Sequence, residues 1–192
     1  MDFLFDLLQG AGLAAAIGIR PFLPVLLAGA LASANVGIDF GGTDLVFLEE
    51  WPFLLAVVLA VTALDLAVRR GGENGALPLV LGGLAVVLGA LEAAGSVADG
   101  DNPVVAGVVV GVACAIVGFL ASRQIFTRVR KRLDTEAAAA LPVYAEGLAL
   151  AAAGVSILFP PLALLVVAGL AFLLVGGRRR RDEKYAGLRI LR

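Results

Sequence analysis

Charged residues inside long apolar stretches are the ones that could do chemistry in this chain. Arg20 is the only basic residue within such a stretch, Leu7–Ala34, and Pro21 and Pro24 follow it directly. An arginine at bilayer depth costs at least about 2.5–3.5 kcal/mol on insertion scales, and such a residue usually has a partner. Arg20 could bind an anion or a lipid head group, or form a gating ion pair, or merely pin two helices together.

Glu146 is the acid that we expect to meet Arg20. Counted from the cytoplasmic side, Arg20 lies about 20 Å and Glu146 about 14 Å along their helices, a difference that an arginine side chain can cover. The contact could be bidentate. Tyr144 could donate a hydrogen bond to Glu146. The small residues Gly147 and Gly154 on the neighbouring face predict that Glu146 faces the packed interior.

Two further acids lie inside apolar stretches. Glu92 is six residues from the end of its stretch, so it could be a protonatable group in a translocation path, or a group that is neutral at rest. Asp65 and Arg69 are four residues apart, which predicts an interfacial salt bridge. One base against three acids favours the handling of cations or protons over the binding of anions.

The motifs and residues of common enzymes are missing from the sequence. There is no histidine and one cysteine, which excludes a disulfide within the chain, a His/Cys metal site and a His-based triad. No Walker, Gly-x-Ser-x-Gly or dinucleotide motif occurs. An intramembrane enzyme would have to use Glu92 and Glu146, which are predicted on opposite halves of the bilayer. We therefore expect neither an enzyme nor a cofactor.

The composition is that of a membrane protein. Of 192 residues 60% are hydrophobic and 16% charged, and the mean hydropathy is +0.98, whereas soluble domains are about 45–50% apolar and about 25% charged. The pattern predicts an all-α, polytopic helical membrane protein in which residues 1–176 form one transmembrane domain and residues 177–192 a basic cytoplasmic tail. We expect about six spans, at Leu7–Ala34, Trp51–Val68, Leu77–Ala98, Pro103–Ser122, Ala137–Phe159 and Leu162–Gly176.

The first span is too long for a straight crossing. Its 28 residues make a helix of about 42 Å, whereas the hydrocarbon layer is about 30 Å thick. Proline interrupts helical hydrogen bonding. We therefore expect this helix to be broken near Arg20–Pro24.

Basic residues predict the orientation. Apart from Arg20, all Lys and Arg follow the second, fourth and sixth spans. The positive-inside rule then places these ends, and both termini, on the cytoplasmic side of the inner membrane. The basic loops could hold anionic lipid head groups at about 1 kcal/mol per residue. A net charge of −1 argues against a nucleic-acid partner, and each basic run lies beside an apolar span, where membrane topology explains it.

Small residues form a stripe on the fourth span. Gly107, Gly111 and Gly118 recur at helical spacing, which is typical of close helix contacts within or between subunits. The protein could therefore be a homo-oligomer. Cys114 is predicted to be core filler.

Three stretches resemble a bacterial membrane-protein family catalogued as domain of unknown function 4126. They are the segment from Gly10 to Pro24, Leu141–Glu146, and the ending Lys184–Arg192. Leu141 stands where that family usually has Asn, Gly147 replaces its second acid, and the segment after the second span is shorter. The resemblance marks Arg20 and Glu146 as special positions and implies no substrate.

The sequence leaves two functions open. The favoured one is a small transporter or channel-like protein for an ion or small polar solute, with a site at the broken helix and the buried charges. The alternative is a membrane scaffold or lipid-interacting protein in which the ion pair is structural. A scaffold would bury Arg20–Glu146 dry and place the Gly107/Gly111 stripe against another subunit.

Overall fold

The protein is an all-α polytopic membrane protein. The computed structural model describes residues 3–71, 77–98 and 103–186, without the side chains of 61, 64–71, 77, 78, 135 and 177–186, and the regular structure in this part of the chain is helical. The predicted Asp65–Arg69 salt bridge lies outside the described side chains. The helices are α1 (Phe3–Ile19), α2 (Phe22–Ser33), α3 (Trp51–Gly71), α4 (Leu77–Val97), α5 (Val104–Arg130), α6 (Thr135–Leu158) and α7 (Pro160–Ala186), with a short 3-10 turn at Val46–Leu48.

Membrane-crossing length is reached by several of these helices. Among the described residues, Leu79–Val97, Val104–Arg130 and Glu136–Leu158 are long and apolar enough to span a bilayer. The apolar parts of α1, α2, α3 and α7 are shorter. Helices α5 and α7 continue past the predicted ends at Ser122 and Gly176 without a break.

Helix α1 lies at the centre of the bundle. Its residues from Gln9 to Ile19 are all buried, and it packs against α4, α5, α6 and α7. A helix that is apolar all round is expected in such a position. The stretch is rich in Ala and Gly, so the backbones of its neighbours approach closely; a Cβ added at Gly18 would reach the backbone of Ala115 and Phe119 on α5.

The chain reverses between α1 and α2. The side chain of Gln9, near the start of α1, donates hydrogen bonds to the backbone oxygen atoms of Gly37 and Ile157. Gly37 follows the end of α2, so α2 must return towards the residues where α1 began. The predicted single broken span at Leu7–Ala34 is therefore wrong. The break lies at Arg20–Pro21 as predicted, but the two halves form a helical hairpin.

Helix α6 runs antiparallel to α1. Arg20 contacts Glu146, and Gln9, eleven residues earlier, contacts Ile157, eleven residues later. We call the end of the bundle with Gln9, Gly37 and Ile157 the Gly37 end, and the opposite end the Arg20 end. Helices α3, α5 and α7 run towards the Arg20 end, and α4 and α6 run away from it.

The hairpin changes where the ends of the chain lie. Helix α1 starts at the Gly37 end, and α7 finishes at the Arg20 end. The described ends of the chain, Phe3 and Ala186, are therefore at opposite ends of the bundle. Both had been expected on one side because the Leu7–Ala34 run was counted as a crossing.

Candidate functional site

Arg20 occupies the tip of the hairpin. Its backbone N–H donates to the oxygen of Ala16 at 3.2 Å, the last bond of α1. Pro21 has no N–H to continue the ladder, and it becomes the N-cap of α2. Pro24 lies in the first turn of α2, where a missing N–H loses no helical hydrogen bond. Pro21 therefore ends α1, and Pro24 fits into α2 without breaking it.

Arg20 and Glu146 meet, as the sequence predicted. The Nε atom of Arg20 lies 3.5 Å from Oε1 of Glu146, and the two side chains are 34% and 33% exposed. The predicted bidentate geometry is wrong, because this is the single ion contact between them. The other oxygen of Glu146, Oε2, is buried and has no hydrogen-bond partner. The pair is thus neither fully enclosed nor fully hydrogen-bonded.

Tyr144 does not support Glu146. Its side chain is 73% exposed, and it forms no hydrogen bond with the carboxylate. The expected small-residue face is also wrong, because a Cβ added at Gly147 would meet nothing within 4 Å. Helix α6 instead packs through Ala145, Ala149, Ala152, Ala153 and Ser156. Glu146 lies at the edge of this alanine face.

The ion pair lies between the middle of the bundle and the Arg20 end, and Glu146 is at the midpoint of α6. Gly89 of α4 packs beside Ala14, so Arg20 is level with a point about six residues, or about 9 Å, from the start of α4. On α5, Arg20 is about one turn short of Arg123, whose guanidinium lies 5.6 Å from the Phe119 ring centroid.

Glu92 is not part of this site. On α4, Gly89 packs beside Ala14 and Ser96 lies beside Gly10, which places Glu92 about level with residues 11 and 12 of α1. Arg20 is therefore about 12 Å further along the bundle. The structure brings Arg20 and Glu146 together and keeps Glu92 apart from them.

The glycine stripe of α5 is used within the chain. A Cβ at Gly107 would meet the backbone of Ala93, and one at Gly111 would meet the backbone of Gly89. Gly118 lies against the backbone of Ala15 and Gly18. The stripe therefore packs α5 against α4 and α1, and it does not form an exposed surface for another subunit.

The residue that sequence reasoning missed is Gln9. It is 5% exposed, and its amide nitrogen joins α1 to the segment after α2 and to the end of α6. The sequence feature that could have indicated its role is its position, as a single amide side chain at the start of an Ala/Gly-rich run. A glutamine carries no charge, so it did not stand out among the candidates for chemistry.

No protein-family model, curated protein or solved structure matches the chain. The resemblance to domain of unknown function 4126 therefore stays a prediction. Among the described residues, no group of three His, Cys, Asp or Glu could hold a metal ion. Cys114 is buried and lines an apolar cleft of about 240 Å³ between α1, α5 and α7, away from the charged pair.

Proposed function

We propose that the chain is a small transporter or channel-like protein for an ion or small polar solute, and that Arg20 and Glu146 form its site. One observation carries the proposal: the pair lies at the tip of a helical hairpin with a single 3.5 Å contact and one third of each side chain exposed. A pair that only pins two helices is expected to be enclosed, with its polar atoms hydrogen-bonded.

The chemistry of the pair favours a solute with both an acceptor and a donor group. A guanidinium has five N–H donors, and only its Nε atom has an ion contact with Glu146, at 3.5 Å. The amino end of α2 adds a positive partial charge beside Arg20. Oε2 of Glu146 remains an acceptor. Many transporters also form their sites at interrupted helices, where the amino ends of half-helices face anionic groups of the solute.

The sequence has one base against three acids in its apolar stretches, which favoured cations. That count does not apply to this site, because Glu92 lies elsewhere. Arg20 and Glu146 alone balance one positive and one negative charge. The alternative, a scaffold or lipid-interacting protein, expects a fully buried pair and a glycine stripe against another subunit. The one-third exposure of the pair and the packing of the stripe within the chain support the transporter over this alternative. Membership of the family of domain of unknown function 4126 is part of the proposal, on the residues around Arg20 and Glu146.

Flux through liposomes tests this function. The purified protein is reconstituted, and uptake of potassium, chloride, acetate and glycine is compared with that of empty vesicles. We expect faster uptake of at least one solute, abolished by Arg20→Ala and by Glu146→Ala because each removes one side of the site. Arg132→Ala, a change at an exposed basic position between α5 and α6, should leave uptake unchanged.

The result would go against transport if Arg20→Ala and Glu146→Ala eluted as folded protein and moved the solute at the wild-type rate. Absence of uptake for the whole panel, with the ion pair still required for folding, would favour the scaffold.

We further propose that the protein lies in the inner membrane with the Arg20 end in the cytoplasm. The last part of α5 and the residues after it are basic at this end, and the positive-inside rule assigns such residues to the cytoplasm. They are Arg123, Arg128, Arg130, Lys131 and Arg132. They are also placed to bind anionic head groups. The Gly37 end, with Asp39, Asp44, Glu49 and Glu50, then faces outwards, together with the start of α1.

Cysteine accessibility tests this topology. In a Cys114→Ala background, Leu4→Cys, Asp44→Cys and Arg132→Cys each introduce one exposed thiol. A membrane-impermeant maleimide added to intact cells should label the first two, and should label the third only after permeabilisation. Labelling of Leu4→Cys and Arg132→Cys from the same side would contradict the hairpin, because it would require the first apolar stretch to cross the membrane.

A further inference from the structure

Glu92 is an enclosed acid without a hydrogen-bond partner among the residues that the structure describes. Its side chain is 0% exposed, and neither carboxyl oxygen has a hydrogen-bond partner. An isolated ionised carboxylate in an apolar interior costs several kcal/mol, even after relaxation of the surroundings. A carboxyl group in this position is therefore expected to carry a proton.

Within the described part of the chain, no positive charge faces Glu92 from the helices that pack against α4. The α1–α2 hairpin offers Asp6 towards the Gly37 end and Arg20 about 12 Å away, and α2 has no charged residue. On α5 the first charge is Arg123, at the far end. Beside the 3-10 turn, Glu49 accepts a hydrogen bond from the Phe40 backbone at 3.4 Å. The described residues therefore place no cationic side chain beside Glu92. Protonation is the remaining way to neutralise its carboxyl group.

A cap closes the approach to Glu92 from the Gly37 end. We define the cap as residues 37–48. Phe40 and Leu48 are both 0% exposed, and both lie against Gly95, which is one turn from Glu92 along α4. The cap therefore covers the helix between Glu92 and the solvent at this end.

Gln9 latches the cap. Its amide nitrogen donates to the oxygen of Gly37, the first residue of the cap, and at 3.2 Å to that of Ile157 at the end of α6. Gly37 has a φ of +75°, a conformation that a residue with a side chain rarely adopts. The cap thus begins at a fixed bend that is held by a side chain of the central helix.

We propose that Glu92 is a proton-binding site, closed by the cap and latched by Gln9, which exchanges its proton with water at the Gly37 end when the cap opens. In the open state the carboxyl O–H passes its proton to water and leaves a carboxylate, which takes up a proton again before the cap closes. The proton-binding site does not depend on the proposed transport function. Only the role of the proton as a coupling ion rests on that function.

Infrared spectroscopy of the protein in bilayers tests the proton directly. A protonated carboxyl group has a carbonyl stretch that an ionised carboxylate lacks. At neutral pH we expect this band in the wild type, its loss in Glu92→Gln, and its retention in Glu146→Gln. Glu92→Asp keeps the acid and should shift the band without removing it. A wild type without the band, or a band unchanged by Glu92→Gln, would overturn the proposal.

Transfer into D₂O tests the exchange and the latch. The Glu92 band should shift as deuterium replaces the proton, and Gln9→Leu should speed the shift by about tenfold or more, the factor expected for losing two buried hydrogen bonds. Gln124→Leu, at the Arg20 end, should leave the rate unchanged. A band that never shifts, or an equal rate in Gln9→Leu, would show a static buried acid and refute the gated site.

These readouts do not depend on flux. Loss of transport with a protonated, exchanging Glu92 would refute the proposed function and leave the proton site in place. Transport that persists while Glu92 is ionised at neutral pH would refute the proton site and leave the proposed transport function in place.

Discussion

Arg20→Glu and Glu146→Arg are each expected to destabilise the protein, and their combination is expected to restore most of the loss. Each single change sets two like charges together where the wild type has an Nε–Oε1 contact of 3.5 Å. Because both side chains are one third exposed, we expect about 1–3 kcal/mol for each, below the roughly 3–5 kcal/mol of a fully buried pair. The measurement is the midpoint of thermal unfolding in detergent.

The exchanged pair should be tolerated because position 20 lies between two helix ends of opposite partial charge. The carboxyl end of α1 favours a base there, and the amino end of α2 favours an acid. As a control, exchange of the exposed charges Arg132 and Glu136 should give additive, small effects. If the double exchange at 20 and 146 were as unstable as the sum of the single changes, the contact would not exist in the folded protein.

The sequence predicted the pair for a sound reason, but with a wrong direction for the first apolar run. A guanidinium within an apolar run needs a carboxylate, and Glu146 was the acid in the fifth predicted span. The depth estimate assumed that the first run enters from the basic side. The run enters from the opposite side, and the partner stayed the same because α6 passes the tip of the hairpin.

The reversal itself could not be predicted from hydropathy. A run of 28 apolar residues looks the same whether the chain passes through the membrane or returns. Pro21 marks a break, but proline also kinks helices that go straight on. In the structure Gln9 joins the start of α1 to the returning segment, and its partners are backbone oxygen atoms 28 and 148 residues away. Every residue has a backbone carbonyl oxygen, so the sequence does not show which of them a side chain will bind.

Helix ends and packing faces were predicted with uneven success. The prediction of α4 differs from the structure by one residue, because a turn-rich linker and Pro103 flank an apolar stretch. Helix α5 runs on to Arg130 because arginine and glutamine are good helix formers beyond the apolar part. On α6 the sequence predicted close packing through glycine, whereas the structure packs through alanine. Both residues are small enough to let backbones approach.

Gly118→Ala is expected to destabilise the protein, and Gly118→Leu to prevent its folding. A Cβ at position 118 would meet the backbone oxygen of Ala15 and lie near the Cα of Gly18, so the central helix would have to move. Overpacking a tight core typically costs about 1–3 kcal/mol, and a rigid backbone neighbour places this site at the upper end. Thermal unfolding and the yield of monodisperse protein measure the effect.

Gly83→Ala is the matched control for this packing test. It makes the same change inside a helix, on α4, where an added Cβ would meet nothing within 4 Å. Removing a glycine from a helix interior should stabilise by about 0.5–1 kcal/mol, because the unfolded chain loses conformational freedom. The two substitutions should therefore shift the unfolding midpoint in opposite directions. Equal tolerance of both would mean that α5 does not touch the backbone of α1. The position of α1 at the centre of the bundle would then be wrong.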